Sequence, residues 1–349
     1  VGLQEAGAEE GVTEPTERGG LPGLLDAWRS CRQGGRLSVV ALVTGTSGST
    51  YRKPGAMALL DERGLRFGAL SGGCVEPELE RRARHVLGTH RPESSFFDTS
   101  EDSDRVYGSG VGCLGRIETL LMPLPVDSSA HLLASLERAV SVGKTLRVSV
   151  AVAGGDLGAG EARDGASACA WGPEGRESSA FASEGPVFSF DVCRPPALLL
   201  LGAGPETPTL VTFARRMGWT TTLVETRRRW SEAACEAGPD EFHEWPPGEA
   251  FDALSGRVFD AVLVMSHGFD LDREHLGRWL GSKADYIGLL GPAARRDALL
   301  AELNVDAASF AGRLHAPVGL RLAGNGPETI ALGIAMQLQQ RFAGAPRGG

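Results

Sequence analysis

The chain has 349 residues, 42% hydrophobic and 23% charged, with a net charge of −9 at pH 7. That length supports two domains of ordinary size, and the negative balance excludes a general nucleic-acid or anionic-membrane surface, which needs a basic field. Six cysteines do not make a disulfide scaffold in so long a chain, so a reducing, cytoplasmic location is expected. Neither a signal-peptide pattern nor an apolar run long enough to span a bilayer is present.

Residues 1–20, rich in Gly, Glu and Thr, read as a mobile tail. A helix is expected over Leu24–Arg32, a strand over Leu37–Val43 and a loop from Thr44 to Gly55. Within that loop Gly45-Thr46-Ser47-Gly48-Ser49-Thr50-Tyr51-Arg52-Lys53-Pro54-Gly55 combines glycines, hydroxyls and two adjacent cations. Ser49, Arg52 and Lys53 thereby form a candidate anion cradle, although the order of a Walker loop is absent. Ala56–Leu60, a turn at Asp61–Gly64 and a short strand over Phe67–Leu70 follow.

Ser71-Gly72-Gly73-Cys74-Val75-Glu76-Pro77-Glu78 then delivers a thiol to the start of a helix. Amides and the macrodipole at a helix N-terminus favour a thiolate, which attacks sulfur donors or ligates soft metals; an inert buried cysteine is the plain alternative. Val75, Leu79, Ala83, Val86 and Leu87 share one face of that helix, with Glu78/Arg82 and Glu80/Arg84 paired outside. Gly110-Val111-Gly112-Cys113-Leu114-Gly115 half-repeats the device. A strand over Arg116–Leu121, a helix over His131–Val142 and a strand over Leu146–Val152 come next. Residues 153–186 read as loops or hairpins.

After Arg194-Pro195-Pro196 the character changes. Ala197–Leu201 has the composition of a buried parallel strand. Strands over Thr220–Glu225, Phe259–Met265 and Asp285–Leu289 then alternate with helices, the pattern of a doubly wound α/β domain. Gly202-Ala203-Gly204-Pro205-Glu206-Thr207 lies where a dinucleotide phosphate loop belongs, and Glu225 follows at about the twenty-residue spacing of ribose recognition. Thr207 stands where the third glycine is usual, and Glu206 brings negative charge to the phosphate position. Ser266-His267-Gly268-Phe269-Asp270 lies past a buried strand at the ligand edge of such a sheet. This makes His267 a stronger functional candidate than His85 or His90, with a structural histidine as the alternative. Beside it Tyr286-Ile287-Gly288-Leu289-Leu290-Gly291 ends the next strand, and Arg295 and Arg296 offer charge to phosphates. Gly324-Asn325-Gly326-Pro327-Glu328-Thr329 opens the last helix, as a second anion site or a structural cap. Residues 343–349 read as another tail.

Several of these segments together resemble the xanthine dehydrogenase accessory factor family (XdhC/CoxI), from about Leu24 to Phe342. The resemblance is carried by Gly48–Gly55, Gly72-Gly73-Cys74-Val75-Glu76, Gly112-Cys113-Leu114-Gly115, Leu201-Gly202-Ala203-Gly204, Ser266-His267, Tyr286–Gly291 and Ala316-Pro317-Val318-Gly319-Leu320. The chain departs from the family pattern at Leu114, Pro205 and Glu225-Thr226-Arg227.

The resemblance implies an N-terminal XdhC/CoxI-type α+β domain over 21–194 and a C-terminal Rossmann-like doubly wound domain over 195–342, often as a homodimer. It further implies an accessory protein that binds molybdenum cofactor as molybdopterin or its dinucleotide form. Such a protein supports sulfuration with a cysteine desulfurase and hands the cofactor to a molybdenum hydroxylase of the xanthine or CO dehydrogenase type. On this reading Cys74 and Cys113 handle sulfur as thiolates, with Cys113 a candidate molybdenum ligand and His267 a candidate catalytic group. Ser49, Arg52, Lys53, Gly72, Gly73, Gly112, Gly202, Gly204, Glu225, Gly288 and Gly291 would line the cofactor. A reading of a different class is an NAD(P)-dependent oxidoreductase, with Glu225 on the ribose, Arg227–Arg229 on a 2′-phosphate and His267 in the chemistry. A regulatory protein for some other nucleotide is the third.

Overall fold

The computed structural model describes residues 18–98, 115–141, 143–165, 167–310 and 312–344. The chain divides into two compact units, one taking in Gly23–Leu136 and Arg147–Asp191, the other Arg18–Pro22, Glu137–Leu146 and the chain from Val192 on. In order the first elements are α1 (Gly20–Gln33), β1 (Ser38–Gly48), β2 (Met57–Asp61), β3 (Gly64–Phe67), α2 (Glu76–Thr89), β4 (Glu93–Asp98), β5 (Gly115–Leu124) and α3 (Leu132–Ser141). Five strands follow: β6 (Leu146–Ala151), β7 (Gly160–Arg163), β8 (Ala168–Trp171), β9 (Glu177–Ser178) and β10 (Val187–Val192).

Two five-stranded sheets build the first unit, in the orders β3-β2-β1-β5-β4 and β10-β6-β7-β8-β9. Alternate residues Val39, Ala41 and Val43 of β1 join Ala58, Leu60, Ile117 and Leu121 in a core, as the period of two in a strand requires. The face of α2 predicted from spacing closes that core with Val75, Leu79, Ala83 and Val86, and Leu87 packs at its margin. Outside, Arg82 Nε sits 2.8 Å from Glu78 and Arg84 3.4 Å from Glu80.

Three local expectations differ from the structure. β1 runs on to Gly48, because Gly45–Gly48 pair with Gly115–Glu118 of β5 beyond an irregularity at Val43/Gly45; cross-strand partners override the loop-like composition. The strand expected over Phe67–Leu70 is β3, ending at Phe67. Gly68 takes φ +74°, and a Cβ there would lie 2.7 Å from the Met57 carbonyl oxygen, so the chain leaves the sheet at that point. Arg18–Gly20, placed in the tail by composition, are engaged: Arg18 pairs with Asp240 at 2.8 Å, the Gly19 amide donates to the Arg215 carbonyl at 2.9 Å, and α1 begins at Gly20.

The second unit alternates β11 (Ala197–Leu201), α4 (Thr207–Arg216), β12 (Thr220–Val224), α5 (Arg228–Glu236), β13 (Glu241–His243), α6 (Pro247–Leu254) and β14 (Ala261–Val264). It continues through α7 (Phe269–Leu280), β15 (Ile287–Leu289), α8 (Ala293–Glu302), β16 (Leu314–His315) and α9 (Pro327–Gly344). The paired strands run parallel in the order β13-β12-β11-β14-β15-β16. Leu198 and Leu200 of β11 face one core with residues of α4 and α9, while Leu199 and Leu201 face another with residues of α6, α7 and α8. Helices thus cover both faces, which is why the central strands β11 and β14 read as unbroken apolar runs. The order reverses between β11 and β14, and ligands of open α/β sheets bind at the carboxyl ends of the strands at such a switch point. Among the described residues no helix is long and apolar enough to cross a membrane.

Candidate functional site

In the first unit the antiparallel registers set the expected site segments at one end of a sheet. Gly48 at the end of β1 pairs with Gly115 at the start of β5, Leu42 with Met57 at the start of β2, Leu59 with Phe67 at the end of β3, and Arg116 with Asp98 at the end of β4. The Ser49–Ala56 loop and the Gly68–Val75 loop therefore leave toward the same end of the sheet. Ser49 and Lys53 are exposed and Arg52 is half-buried, with the Arg52 carbonyl accepting from the Thr50 hydroxyl at 3.0 Å. The buried Arg52 Nε has no hydrogen-bond partner among the described residues. Gly112 and Cys113 lie outside the described residues.

Cys74 is not the helix cap that its sequence position suggested. Val75 takes that place, α2 begins at Glu76, and the half-buried Cys74 packs at the margin of the core. The loop amides turn to Glu76 instead. Its Oε1 accepts from the amides of Leu70 (3.1 Å) and Ser71 (2.8 Å), and its Oε2 from the Gly73 amide (3.1 Å) and the Ser71 hydroxyl. The Ser71 hydroxyl oxygen in turn accepts from the amides of Gly73 and Val75 at 3.2 and 3.0 Å. Gly73 holds φ +114° in exposed space, a conformation suited to glycine. A carboxylate therefore occupies the amide nest and shapes the loop that presents the thiol.

Partial burial raises the Glu76 carboxyl, but its bonds from the Ser71 hydroxyl and from the amides of Ser71 and Leu70 outweigh it and hold the group below its ordinary value. A depressed folded value stabilises the fold above the unfolded carboxylate value, and that contribution is lost as pH falls through the folded one. Glu76→Gln is thus expected to cost about 1–2 kcal/mol at neutral pH. The difference from wild type should vanish in acid, read from urea midpoints at both pH values; an equal cost at both would contradict this role.

In the second unit the switch point gathers side chains from four loops. Gly202, at φ +92°, has no room for a Cβ because the Ser266 backbone fills that position, and a Cβ on Gly204 would collide with the His267 imidazole. The loops after β11 and β14 thus touch backbone to backbone. His267 adopts φ +58°, a region unusual outside glycine, and its Nε2 lies 3.0 Å from Oε1 of Glu206, a residue only 2% exposed. Ser266 is anchored by Asp272, whose Oδ1 accepts from the Ser266 amide at 3.0 Å and its hydroxyl at 2.5 Å, while Oδ2 accepts from Arg295 at 2.7 Å. The hydrogen bond to Glu206 raises the His267 pKa, against a lowering by burial.

The other expected residues are placed as follows. Glu225 is 2% exposed; its oxygens accept from the amides of Ala203 (2.8 Å) and Arg227 (2.7 Å) and from the Arg227 guanidinium. Gly288 is buried within β15, where a Cβ would press on Leu263 and Val318, whereas Gly291, at φ +125°, makes room for Arg295. Arg296 donates to the Ala316 carbonyl at 2.8 Å. Asp272 and Glu76 escaped the sequence reading because each acts through a fold-dependent contact, and Glu206 was read only as a misplaced charge. Among the described residues no group of three or more His, Cys, Asp or Glu is set to hold a metal ion.

Residues 198–338 match the XdhC Rossmann domain, and residues 31–98 match the XdhC and CoxI family. The chain belongs to the XdhC and CoxI family. It is thus a member of the xanthine dehydrogenase accessory-factor family to which its motifs point. It is 25% identical over 312 residues to a protein of Bacillus subtilis (strain 168) named as a probable xanthine dehydrogenase subunit, covering 87% of this chain and 92% of that one. A shorter match, 26% over 162 residues, takes in 44% of this chain and 28% of the uncharacterized protein YqeB of Escherichia coli (strain K12). Among solved structures, a xanthine dehydrogenase from Bacillus halodurans superposes with a TM-score of 0.77 at 28% identity, covering 93% of this chain and 96% of that one.

Proposed function

We propose that this XdhC/CoxI-family chain is an accessory factor for a molybdenum hydroxylase of the xanthine dehydrogenase type. It carries molybdenum cofactor as cargo, supports its sulfuration with a cysteine desulfurase and hands it to the hydroxylase. The observation that carries the reading is the departure of the cationic hydroxyl loop and the Cys74 loop toward one end of the same sheet. Anion-holding and thiol chemistry are thereby set toward one end of the same sheet although about twenty residues separate them in sequence. Exposed Lys53 and Ser49, with Arg52 behind them, suit a phosphate, and the half-buried Cys74 thiol suits a soft metal or a sulfur donor. The names of the two Bacillus relatives, each a xanthine dehydrogenase protein, supply the client class.

The test is anaerobic incubation with molybdenum cofactor followed by gel filtration, scoring co-eluting molybdenum and pterin. Wild type is expected to retain both in near-equal amounts to protein, Arg52→Ala with Lys53→Ala to lose about tenfold in affinity through two lost charge-assisted contacts, and Cys74→Ser and Cys113→Ser to retain less molybdenum. Wild-type protein that elutes free of both would remove the carrier function, and Cys→Ser proteins indistinguishable from wild type would remove the thiols from it.

A further inference from the structure

The glycine loop after β11 has the position of a dinucleotide phosphate loop, but four of its amides are already bonded within the fold. The Gly202 amide donates to the Val224 carbonyl (2.8 Å), Ala203 to Glu225 (2.8 Å), Gly204 to the Thr207 hydroxyl (2.9 Å) and Thr207 to the Gly204 carbonyl (3.0 Å). Pro205 and Pro208 have no N–H to offer. A pyrophosphate is held by just such amides when they point outward. Here they point inward, and the Glu206 carboxylate adds a charge of the wrong sign at the helix start. Glu225, which would hold a ribose hydroxyl, has both oxygens committed to Ala203 and Arg227.

The same loop is built around His267. Two glycines without room for a Cβ, a buried Asp272–Arg295 pair and a buried Glu206 together hold this residue at a positive φ. A left-handed backbone costs a non-glycine residue roughly 1–2 kcal/mol, and such strain persists only where its surroundings over-determine it, as functional sites do. With Nε2 on Glu206 and 46% of the side chain exposed, the ring offers its other nitrogen and part of its face. Carboxylate and imidazolium together are neutral and present a single donor, which matches a ring nitrogen or carbonyl better than a multiply charged phosphate.

We propose that this switch-point crevice binds a planar, phosphate-free heterocycle, the pterin ring of the cargo, on the imidazole of His267 with Glu206 as its positioning residue, and takes no dinucleotide pyrophosphate. The assignment of the ring as pterin rests on the carrier reading above. The charges facing His267 are Glu206 at the start of α4, Asp272 on α7 and Arg227 after β12; the first two favour the imidazolium and the third opposes it. The donor form therefore persists to higher pH than in a free histidine, and ring binding weakens as pH rises through that raised value.

The test titrates the full chain with 6-hydroxymethylpterin by fluorescence, and with inorganic pyrophosphate and NAD+ by calorimetry. Wild type is expected to bind the pterin and neither of the other two. Glu206→Gln should bind about tenfold more weakly at neutral pH through the lost charge-assisted contact, with its alkaline fall-off moved to lower pH because the group that raises the imidazole is gone. His267→Asn, which tolerates the left-handed backbone, should lose the pterin while keeping its far-ultraviolet circular dichroism. Binding of pyrophosphate or NAD+ by wild type, or equal pterin affinity in all three proteins, would overturn the inference. Failure of the pterin to bind alongside retention of intact molybdenum cofactor sinks this inference alone; failure of both sinks the carrier reading as well.

Discussion

Asp272→Ala is expected to destabilise the C-terminal unit by about 3–5 kcal/mol, the scale for breaking a buried charge pair by removing one partner. The carboxylate is fully buried, and its loss would leave the Arg295 guanidinium and the Ser266 amide without this acceptor and the Ser266 hydroxyl with only the Gly268 carbonyl at 3.2 Å. Removing both charges, as Asp272→Ala with Arg295→Met, should cost less than Asp272→Ala alone, because no uncompensated cation is left behind. Urea unfolding followed by tryptophan fluorescence reads this directly, since Trp279 on α7 and Trp219 beside β12 are both buried in this unit. A double variant less stable than the single one would mean that Arg295 is held by something other than Asp272.

Gly202→Ala should cost about 2–5 kcal/mol, from two sources that add. The residue holds φ +92°, which an L side chain adopts at roughly 1–2 kcal/mol. The new methyl would also fall on the Ser266 backbone, and overpacking against atoms that cannot rotate away adds about 1–3 kcal/mol. Because Ser266 precedes His267, the variant should also disturb the His267–Glu206 contact. The imidazole titration followed by NMR should then shift toward that of an ordinary histidine. Gly72→Ala, at a position with open space around it, provides the contrast: its effect on stability should stay within about 0.5 kcal/mol. A Gly202→Ala protein as stable as Gly72→Ala would show that the two loops are not in backbone contact.

Much of the architecture was legible because it rests on local periodicity. Ala197–Leu201 and Ala261–Met265 are apolar without interruption, so they had to be strands covered on both faces. The alternation that follows has few topological solutions once crossovers are right-handed. The core face of α2 could be read residue by residue from spacing near 3.6. The site was legible only in outline. Sequence pointed to the glycine loop, to His267 and to the Cys74 run, since each is a chemically unusual cluster at an expected turn. It gave no sign that the amides of two of these loops are already taken by Glu76, Glu225 and Thr207.

The reason is the range of the contacts. Glu76 lies within a few residues of the amides it accepts from, yet its capture of them depends on a loop bent at Gly68 and Gly73. Glu225 meets Ala203, and Glu206 meets His267, across parallel strands 22 and 61 residues apart in sequence. Residue type and spacing therefore determined which segments are strands and helices, which glycines mark turns and which family the chain joins. The tertiary structure alone decided which hydrogen-bond donors remain for a ligand, because a backbone amide carries no mark in sequence of the acceptor that folding brings to it.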